Sequence, residues 1–479
     1  MHFRLILHSL GNITLLMIPA MSVSMLWSLI DGTSDVYAFI HAVLAAMVIG
    51  GALRLVKPRG TFERRDGFAI VFFGWLLVTA IGALPFVLSG SVPTYTDAFF
   101  ETMSGFTTTG ATVIAAVEDL PRGILFWRSL THWLGGMGII VLSLAIFSIF
   151  QTGNALYNAE VPGHAKDKFL PRLRHAAAIL WLIYTIISLM EIVSLKLAGI
   201  SFFDSLIHTF GSMGTGGYSS RNISVEAFKN PAAEMIMVVF MILAGINFSL
   251  YYRVFQKKSL KALFNLETRT FLAIIALATT VIGIFLIGSG AVGSLATAMR
   301  QAVFQVTSII TTTGFSSTNF DFWPPLAKGI LLLLMFIGAC TGSTGGAMKV
   351  ARIVLLFKYA RRQITKVAHP RLVVQTKLDD SLVTDSVVHE VLSFFFLYIA
   401  LYVVGSLTIM ATGQDVVTSI SASAATLGNI GPGLNVVGPY GNYASFHPLA
   451  KWTCSFLMLA GRLEILTVLV IFTPSFWRR

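Results

Sequence analysis

Long apolar runs separated by short polar stretches set the pattern of this chain. Runs at residues 5–30, 36–53, 68–89, 124–150, 176–199, 232–252, 270–288, 326–357, 388–411 and 448–473 are each long enough for a helix to cross a bilayer, whose hydrocarbon layer is roughly 30 Å thick. No water reaches the peptide groups there, so every crossing must close its own hydrogen bonds. The pattern therefore predicts an all-α polytopic membrane protein with ten crossing helices. Four further segments, 97–107, 204–213, 297–311 and 415–425, are too short to cross. They predict re-entrant half-helices, which are tolerated where protein and not lipid surrounds them.

The order long helix, half-helix, tripeptide, loop, long helix recurs four times. Repeats are expected at 67–152, 175–262, 268–366 and 385–479, after a two-helix extension at 1–66. Each half-helix runs into a tripeptide ending in glycine: Thr108-Thr109-Gly110, Gly214-Thr215-Gly216, Thr312-Thr313-Gly314 and Thr426-Leu427-Gly428. Four copies suggest four walls around one hole, because a ring of backbone carbonyls can replace the hydration shell of a permeating cation. Glycine suits such a wall, since it adopts positive φ and lets main chain approach an ion closely. Thr107, Thr311 and Asn429 flank the tripeptides and complete the candidate lining. Asp97, Asp204 and Asp415 stand upstream as expected N-caps of the half-helices, with their charge on the positive end of each dipole. The third repeat has Thr297, Arg300 and Gln301 in that region and no Asp.

Charge then orients the chain. Basic clusters occur at Arg54 to Arg65, Lys166 to Arg174, Arg253 to Arg269, Lys349 to Lys377 and Arg478–Arg479, that is, in every second loop. Positive loops stay on the cytoplasmic side, so both termini are expected there and the tripeptides near the outer face. The net charge of +12 is accounted for by topology and anionic lipid headgroups. Nucleic-acid binding is not expected, since no basic, aromatic-bearing soluble module is present. A retained first helix fits residues 5–30 better than a cleaved signal peptide. Cys340 and Cys454 lie in apolar runs without metal-ligand spacing and read as packing residues. An intramembrane hydrolase using His132 would need a paired nucleophile that the sequence lacks, so no catalytic residue is expected.

Across nearly its whole length the chain resembles the Trk/Ktr/HKT superfamily of potassium transporters, and within it the bacterial Trk membrane subunits. The match is carried by Phe99-Phe100-Glu101 through Gly105-Phe106-Thr107-Thr108-Thr109-Gly110-Ala111-Thr112, by Gly211-Ser212-Met213-Gly214-Thr215-Gly216-Gly217-Tyr218, by Thr311-Thr312-Thr313-Gly314-Phe315, and by Ala425-Thr426-Leu427-Gly428-Asn429-Ile430-Gly431-Pro432-Gly433. The resemblance implies four membrane-pore-membrane repeats in pseudo-fourfold arrangement and a potassium ion bound in the filter during transport. It also implies a homodimer in the cell inner membrane and a cytoplasmic TrkA-type nucleotide-binding regulatory subunit. A glycine at position 110, where relatives that admit sodium carry Ser, implies potassium preference. Leu427 departs from the family's Thr-Thr-Gly form.

Two features are expected to gate the passage. Gly338, Gly342, Gly345 and Gly346 crowd nine residues of the run at 326–357, and each glycine weakens a helix by roughly 1 kcal/mol relative to Ala. A broken helix is predicted, and the resemblance implies an intramembrane loop that obstructs the cavity below the filter. Arg462 lies in the final run, where a lone guanidinium facing lipid would cost several kcal/mol. It is expected to face the pore or a partner and not to pair with Glu464, which two positions on does not share its helical face; the resemblance implies an electrostatic barrier on the cytoplasmic side of the filter. Glu191, Asn247 and His132 are weaker candidates for a coupling ion, and Glu101 is expected to stabilise its half-helix through bonds to adjacent loops. A sodium- or proton-coupled secondary transporter of the same fold is the alternative reading, although repeats in one orientation with breaks near one face favour a pore.

Overall fold

The computed structural model describes the chain except residues 61, 152–168, 371–375, 379–380 and 479. Lys166, Lys168, Arg479 and the expected repeat boundary at 152 lie outside the described residues. Helices α1 (Phe3–Leu15) and α2 (Met17–Asp31) form one apolar rod with a break at Leu16. Pro19 explains the break, since it offers no amide to the carbonyl four residues back and its ring crowds that carbonyl. Helix α3 (Asp35–Arg54) returns beside it.

Four copies of one plan follow. In the first, α4 (Arg64–Gly82) and α5 (Leu84–Leu88) lead to the short α6 (Tyr95–Phe106) and the long α7 (Arg122–Gln151). The second has α8 (Phe169–Leu197), the short α9 (Phe202–Gly214), then α10 (Pro231–Gly245) and α11 (Phe248–Lys257). The third has α12 (Leu266–Gly288), the short α13 (Leu295–Ile310), then α14 (Pro325–Ile337) and α15 (Val350–Ala368). A two-stranded hairpin, Thr376–Leu378 against Ser381–Val383, precedes the fourth. This last copy has α16 (Asp385–Ala411), the short α17 (Val416–Leu427), then α18 (Pro448–Arg462), α19 (Ile465–Leu469) and, at the chain end, α20 (Pro474–Trp477).

After each short helix comes an extended stretch and one 3₁₀ turn, at Val117–Asp119, Ser224–Phe228, Phe320–Phe322 and Asn435–Val437. The following long helix starts at a proline in three copies, Pro231, Pro325 and Pro448, and directly after Pro121 in the first. Proline fits there because the first helical amide has no partner anyway and φ is already helical.

Among the described residues six helices are long and apolar enough to cross a membrane, and two bent pairs raise that number to eight. The bends are 90° between α10 and α11 and 116° between α18 and the α19 segment. The apolar run at 326–357 is not one helix. Helix α14 stops at Ile337, the chain runs without helix from Gly338 to Lys349, and α15 resumes with an alternation of basic and apolar residues. Leu182, Val193, Leu277, Ile284, Phe396 and Val404 are exposed on the outer faces of the long helices, where a bilayer would cover them. Trp127, Tyr184, Tyr218 and Phe304 are fully buried inward. The short helices are buried nearly throughout their second halves, as re-entrant elements must be.

Candidate functional site

The short helices share a start that differs from expectation. Thr94 is the N-cap of α6 and accepts the amide of Asp97, and Ser201 does the same for Asp204 in α9. Asp97 and Asp204 are thus third helical residues and not caps. Their carboxylates accept from the capping hydroxyls, at 2.7 Å from Thr94 and 2.8 Å from Ser201. In α17 the pair is inverted: Asp415 is the cap, accepting the Thr418 amide at 3.0 Å, and the Thr418 hydroxyl also donates to it. Thr-x-x-Asp and Asp-x-x-Thr place the same two groups at the same helix end, so the dipole meets a carboxylate either way. In α13 Ser294 and Thr297 occupy these places, and Ser294 makes no side-chain cap. Two of the carboxylates are also tied to basic side chains: Asp97 to the buried Lys451 of α18 at 2.6 Å, and Asp204 to Arg221 at 3.4 Å.

At the far ends the chain makes one move four times. A non-glycine residue enters the left-handed region and a glycine follows two positions later: Thr108 (φ 52°) and Gly110 (82°), Thr215 (54°) and Gly217 (74°), Thr312 (61°) and Gly314 (80°), Asn429 (55°) and Gly431 (95°). The residue between them donates its amide back to the short helix at 2.8 Å in every copy, Thr109 to Ser104, Gly216 to Gly211, Thr313 to Ser308 and Ile430 to Ala425. This register corrects the tripeptides in two repeats. The conformational partner of Gly110 and Gly314 in repeat two is Gly217, with Gly216 one place early. In repeat four it is Gly431, since Thr426 and Leu427 end α17 and Gly428 (φ −78°) is its C-cap. Gly214, the last residue of α9, corresponds to Thr107, Thr311 and Gly428.

These four glycines interlock. A first side-chain carbon on Gly110 would lie well inside 3.0 Å of the Gly216 carbonyl oxygen, one on Gly217 against Thr313, one on Gly314 against Ile430, and one on Gly431 against Thr109. Each repeat's glycine meets the carbonyl of the next, and the fourth meets the first, so the contacts close a ring. Among the described residues none of those four oxygens accepts a backbone hydrogen bond. The hydroxyls turn aside: Thr107 and Thr311 donate to Met103 and Thr307 at 2.6 Å and pair with Thr109 and Thr313 at 2.8 Å. With those hydroxyls engaged, the ring offers a cation its four carbonyl oxygens, beside the buried and unpartnered hydroxyl of Thr108. Above it lies a vestibule lined by Gly110, Gly217, Gly314 and Gly431 together with Arg128, Tyr218 and Tyr440.

Glu101 buttresses this arrangement as expected. Its carboxylate accepts from Val113 N at 2.9 Å, the Thr112 hydroxyl at 3.0 Å and Arg128 Nε at 2.6 Å, all buried or nearly so. Arg128 also donates to the Ser219 carbonyl and lies 3.5 Å over the Tyr218 ring, which joins repeat one to repeat two. The Tyr218 hydroxyl donates to the Glu101 carbonyl at 2.8 Å, and His132 stacks on the same ring at 4.0 Å.

Below the ring sits the non-helical stretch 338–349. The Gly346 amide donates to the Thr312 hydroxyl at 2.7 Å, Gly345 packs under the Thr311 carbonyl and Gly346 under that of Gly428. Gly338 (φ 72°) turns the chain out of α14, and Gly342 (φ 73°) packs on Asn247, whose side chain caps α11. Arg462, the last residue of α18, is 3% exposed and donates to the Thr344 carbonyl of this loop at 2.6 Å and to Gly135 of α7 at 3.1 Å. Glu464 is not its partner but pairs with Arg352 at 2.5 Å. Glu191 is fully buried in α8.

The sequence placed Gly217, Ile430 and Gly431 in the resembling motifs but not in the candidate lining, and Arg128 and Lys451 were not singled out. The glycines were legible as a polar-x-Gly spacing after each half-helix, whereas the two basic residues gave no signal that separates a buried ion pair from a loop charge.

Four repeats closing one ring of carbonyls inside a helical, multi-pass membrane protein define a cation-conducting pore class. The chain belongs to the TrkH family of cation transport proteins, whose family model matches residues 36–479. It is 40% identical, over all of both chains, to the Trk system potassium uptake protein TrkH of Salmonella typhimurium. It is 35% identical to the Trk system potassium uptake protein TrkG of Escherichia coli K12, over 100% of this chain and 99% of that one. The crystal structure of the potassium transporter TrkH from Vibrio parahaemolyticus matches with a TM-score of 0.91 at 36% identity, covering 100% of each chain.

Proposed function

We propose that this chain carries potassium into the cell across the cytoplasmic membrane, as the membrane subunit of a Trk system. The observation that carries this reading is the closed ring of Gly110, Gly217, Gly314 and Gly431 against the carbonyls of the neighbouring repeats. A cation in it exchanges water for the carbonyls of Thr109, Gly216, Thr313 and Ile430, with those of Thr108, Thr215, Thr312 and Asn429 next in line. Neutral oxygens bind it without the tight hold of a carboxylate, so it can leave again. The stretch 338–349, with Arg462 pinning Thr344, acts as the gate below. The chain is oriented with both termini in the cytoplasm, by its basic loops. It works as a homodimer with a cytoplasmic TrkA-type nucleotide-binding subunit that moves the gate, and 67–152, 175–262, 268–366 and 385–479 are its four pore repeats.

Rubidium uptake into proteoliposomes, with potential, sodium and pH varied independently, tests the reading. Uptake with potential alone is expected. Gly110→Ser should relax discrimination against sodium, because the new side chain must displace the Gly216 carbonyl, and unchanged selectivity would remove Gly110 from the filter. Coupled transport is the second reading, favoured by the intramembrane acid Glu191. An absolute need for a sodium or proton gradient in the same assay would establish it.

A further inference from the structure

The loop under the ring is held by more than Arg462. Glu267, in the first turn of α12, is 6% exposed and is not used by its own helix, because Asn265 caps α12 through a 2.8 Å bond to the Thr268 amide. Its carboxylate reaches across instead. One oxygen, Oε1, accepts from the Thr341 amide at 2.6 Å, from the Thr341 hydroxyl at 3.0 Å and from the Ala351 amide at 3.2 Å. Thr341 begins the arm that passes under the ring, and Ala351 is the second residue of α15 just beyond it. The N-cap residue of α15, Lys349, makes no side-chain cap of its own, because an ammonium has no acceptor to offer the helix amides, and it donates to the Gly345 carbonyl inside the loop. The start of α15 is therefore capped in trans by a carboxylate on another helix, where the positive end of its dipole favours a negative charge.

We propose that Glu267 is the latch of this loop. It is a positioning residue whose single oxygen clasps both ends of 341–351 to α12, so the segment under the ring stays in place until α15 is drawn away. The geometry makes the coupling direct. Withdrawing Ala351 from Oε1 breaks the longest of its three bonds and leaves the segment held there by Thr341 alone, while Gly345 travels with Lys349. Helix α15 carries Arg352, Lys358, Arg361, Arg362 and Lys366, so a pull on this basic helix reaches the loop through the Glu267 carboxylate as well as through Lys349. The inference rests on the reading of 338–349 as the gate, and the experiment separates the two.

Cys340 supplies a native probe: it lies in the loop, is fully buried and is a free thiol, as is Cys454 in α18. The full-length protein, as wild type, Glu267→Ala and Glu267→Gln, is reconstituted for rubidium uptake. In parallel each form is alkylated with a soluble maleimide, and modification at the two cysteines is followed separately by peptide mapping. Glu267→Ala should speed Cys340 modification about tenfold, the scale set by loss of a charge-assisted acceptor, with Cys454 unchanged. Glu267→Gln, whose amide oxygen still accepts, should fall between. Basal rubidium uptake should rise in the same order while rubidium-over-sodium preference holds, since the ring is untouched. Wild-type labelling of Cys340 in Glu267→Ala overturns the latch, and so does equal acceleration at both cysteines. Faster Cys340 labelling with unchanged uptake upholds the latch and refutes the loop as the gate.

Discussion

Replacing Gly431 and Gly428 by alanine, one at a time, separates the ring seen in the structure from the tripeptides suggested by sequence. Gly431 stands at φ 95°, and a side-chain carbon there would lie 2.5 Å from the Thr109 carbonyl oxygen of repeat one. Carbon and carbonyl oxygen come no closer than about 3.3 Å in comfortable contacts, so the wall must open by roughly 0.8 Å. The unfavourable φ adds about 1–3 kcal/mol of strain. A shift of that size at one of four walls disturbs every coordination distance to that oxygen. Gly428 has an ordinary helical φ, and alanine there would meet the Ala424 and Met335 carbonyls and the flexible end of the Ile430 side chain at 2.9–3.0 Å, none of them a ring oxygen. In a rubidium uptake assay with sodium as competitor, Gly431→Ala should reduce the preference for rubidium about tenfold, equivalent to ~1.4 kcal/mol. Gly428→Ala should keep it within about twofold. Equal losses in the two variants, or a loss confined to Gly428→Ala, would refute the register and with it the closed ring.

Three further outcomes follow from named contacts. Lys451→Met should lower the melting temperature in detergent steeply, because it leaves the buried Asp97 without its cation, a change worth about 3–5 kcal/mol; adding Asp97→Leu should restore much of the loss, and exposure of the buried Cys340 and Cys454 to a thiol-reactive dye reports both. Tyr218→Phe should cost about 1 kcal/mol in the same melt and leave rubidium preference intact, since the hydroxyl braces Glu101 and Ala111 behind the ring. Arg462→Ala should raise basal rubidium flux in proteoliposomes, by freeing Thr344 and removing a positive charge below the ring, whereas Arg462→Lys should retain most of the restraint; lower flux in the alanine variant would reverse the assigned role.

Much of the architecture was legible because lipid imposes one simple rule: apolar length for crossing, brevity for re-entry. The four half-helices at 97–107, 204–213, 297–311 and 415–425 overlap α6, α9, α13 and α17, and the glycine-crowded break at 338–346 falls inside the non-helical stretch. Other features were beyond a linear reading. Thr-Leu-Gly in repeat four resembled Thr-Thr-Gly, yet Leu427 remains helical and the turn comes at Asn429, because the backbone conformation and not the triplet spelling is what repeats. Capping by Thr94 and Ser201 was hidden because Asp97 and Asp204, the stronger cap formers on paper, serve equally well from the third position. The bends after Gly245 and at Leu463 carried no proline to announce them.

The interlocking of the ring has a consequence for how the molecule comes into being. No repeat owns a complete wall: the glycine of the first leans on an oxygen of the second, and that of the fourth reaches back to the first, across most of the polypeptide. A nascent chain emerging from the ribosome therefore has no finished opening at any stage before its last quarter is inserted and docked. The contacts of Gly314 with Ile430 and of Gly431 with Thr109 are the last two to form, and a chain cut short before them leaves the ring open on one side.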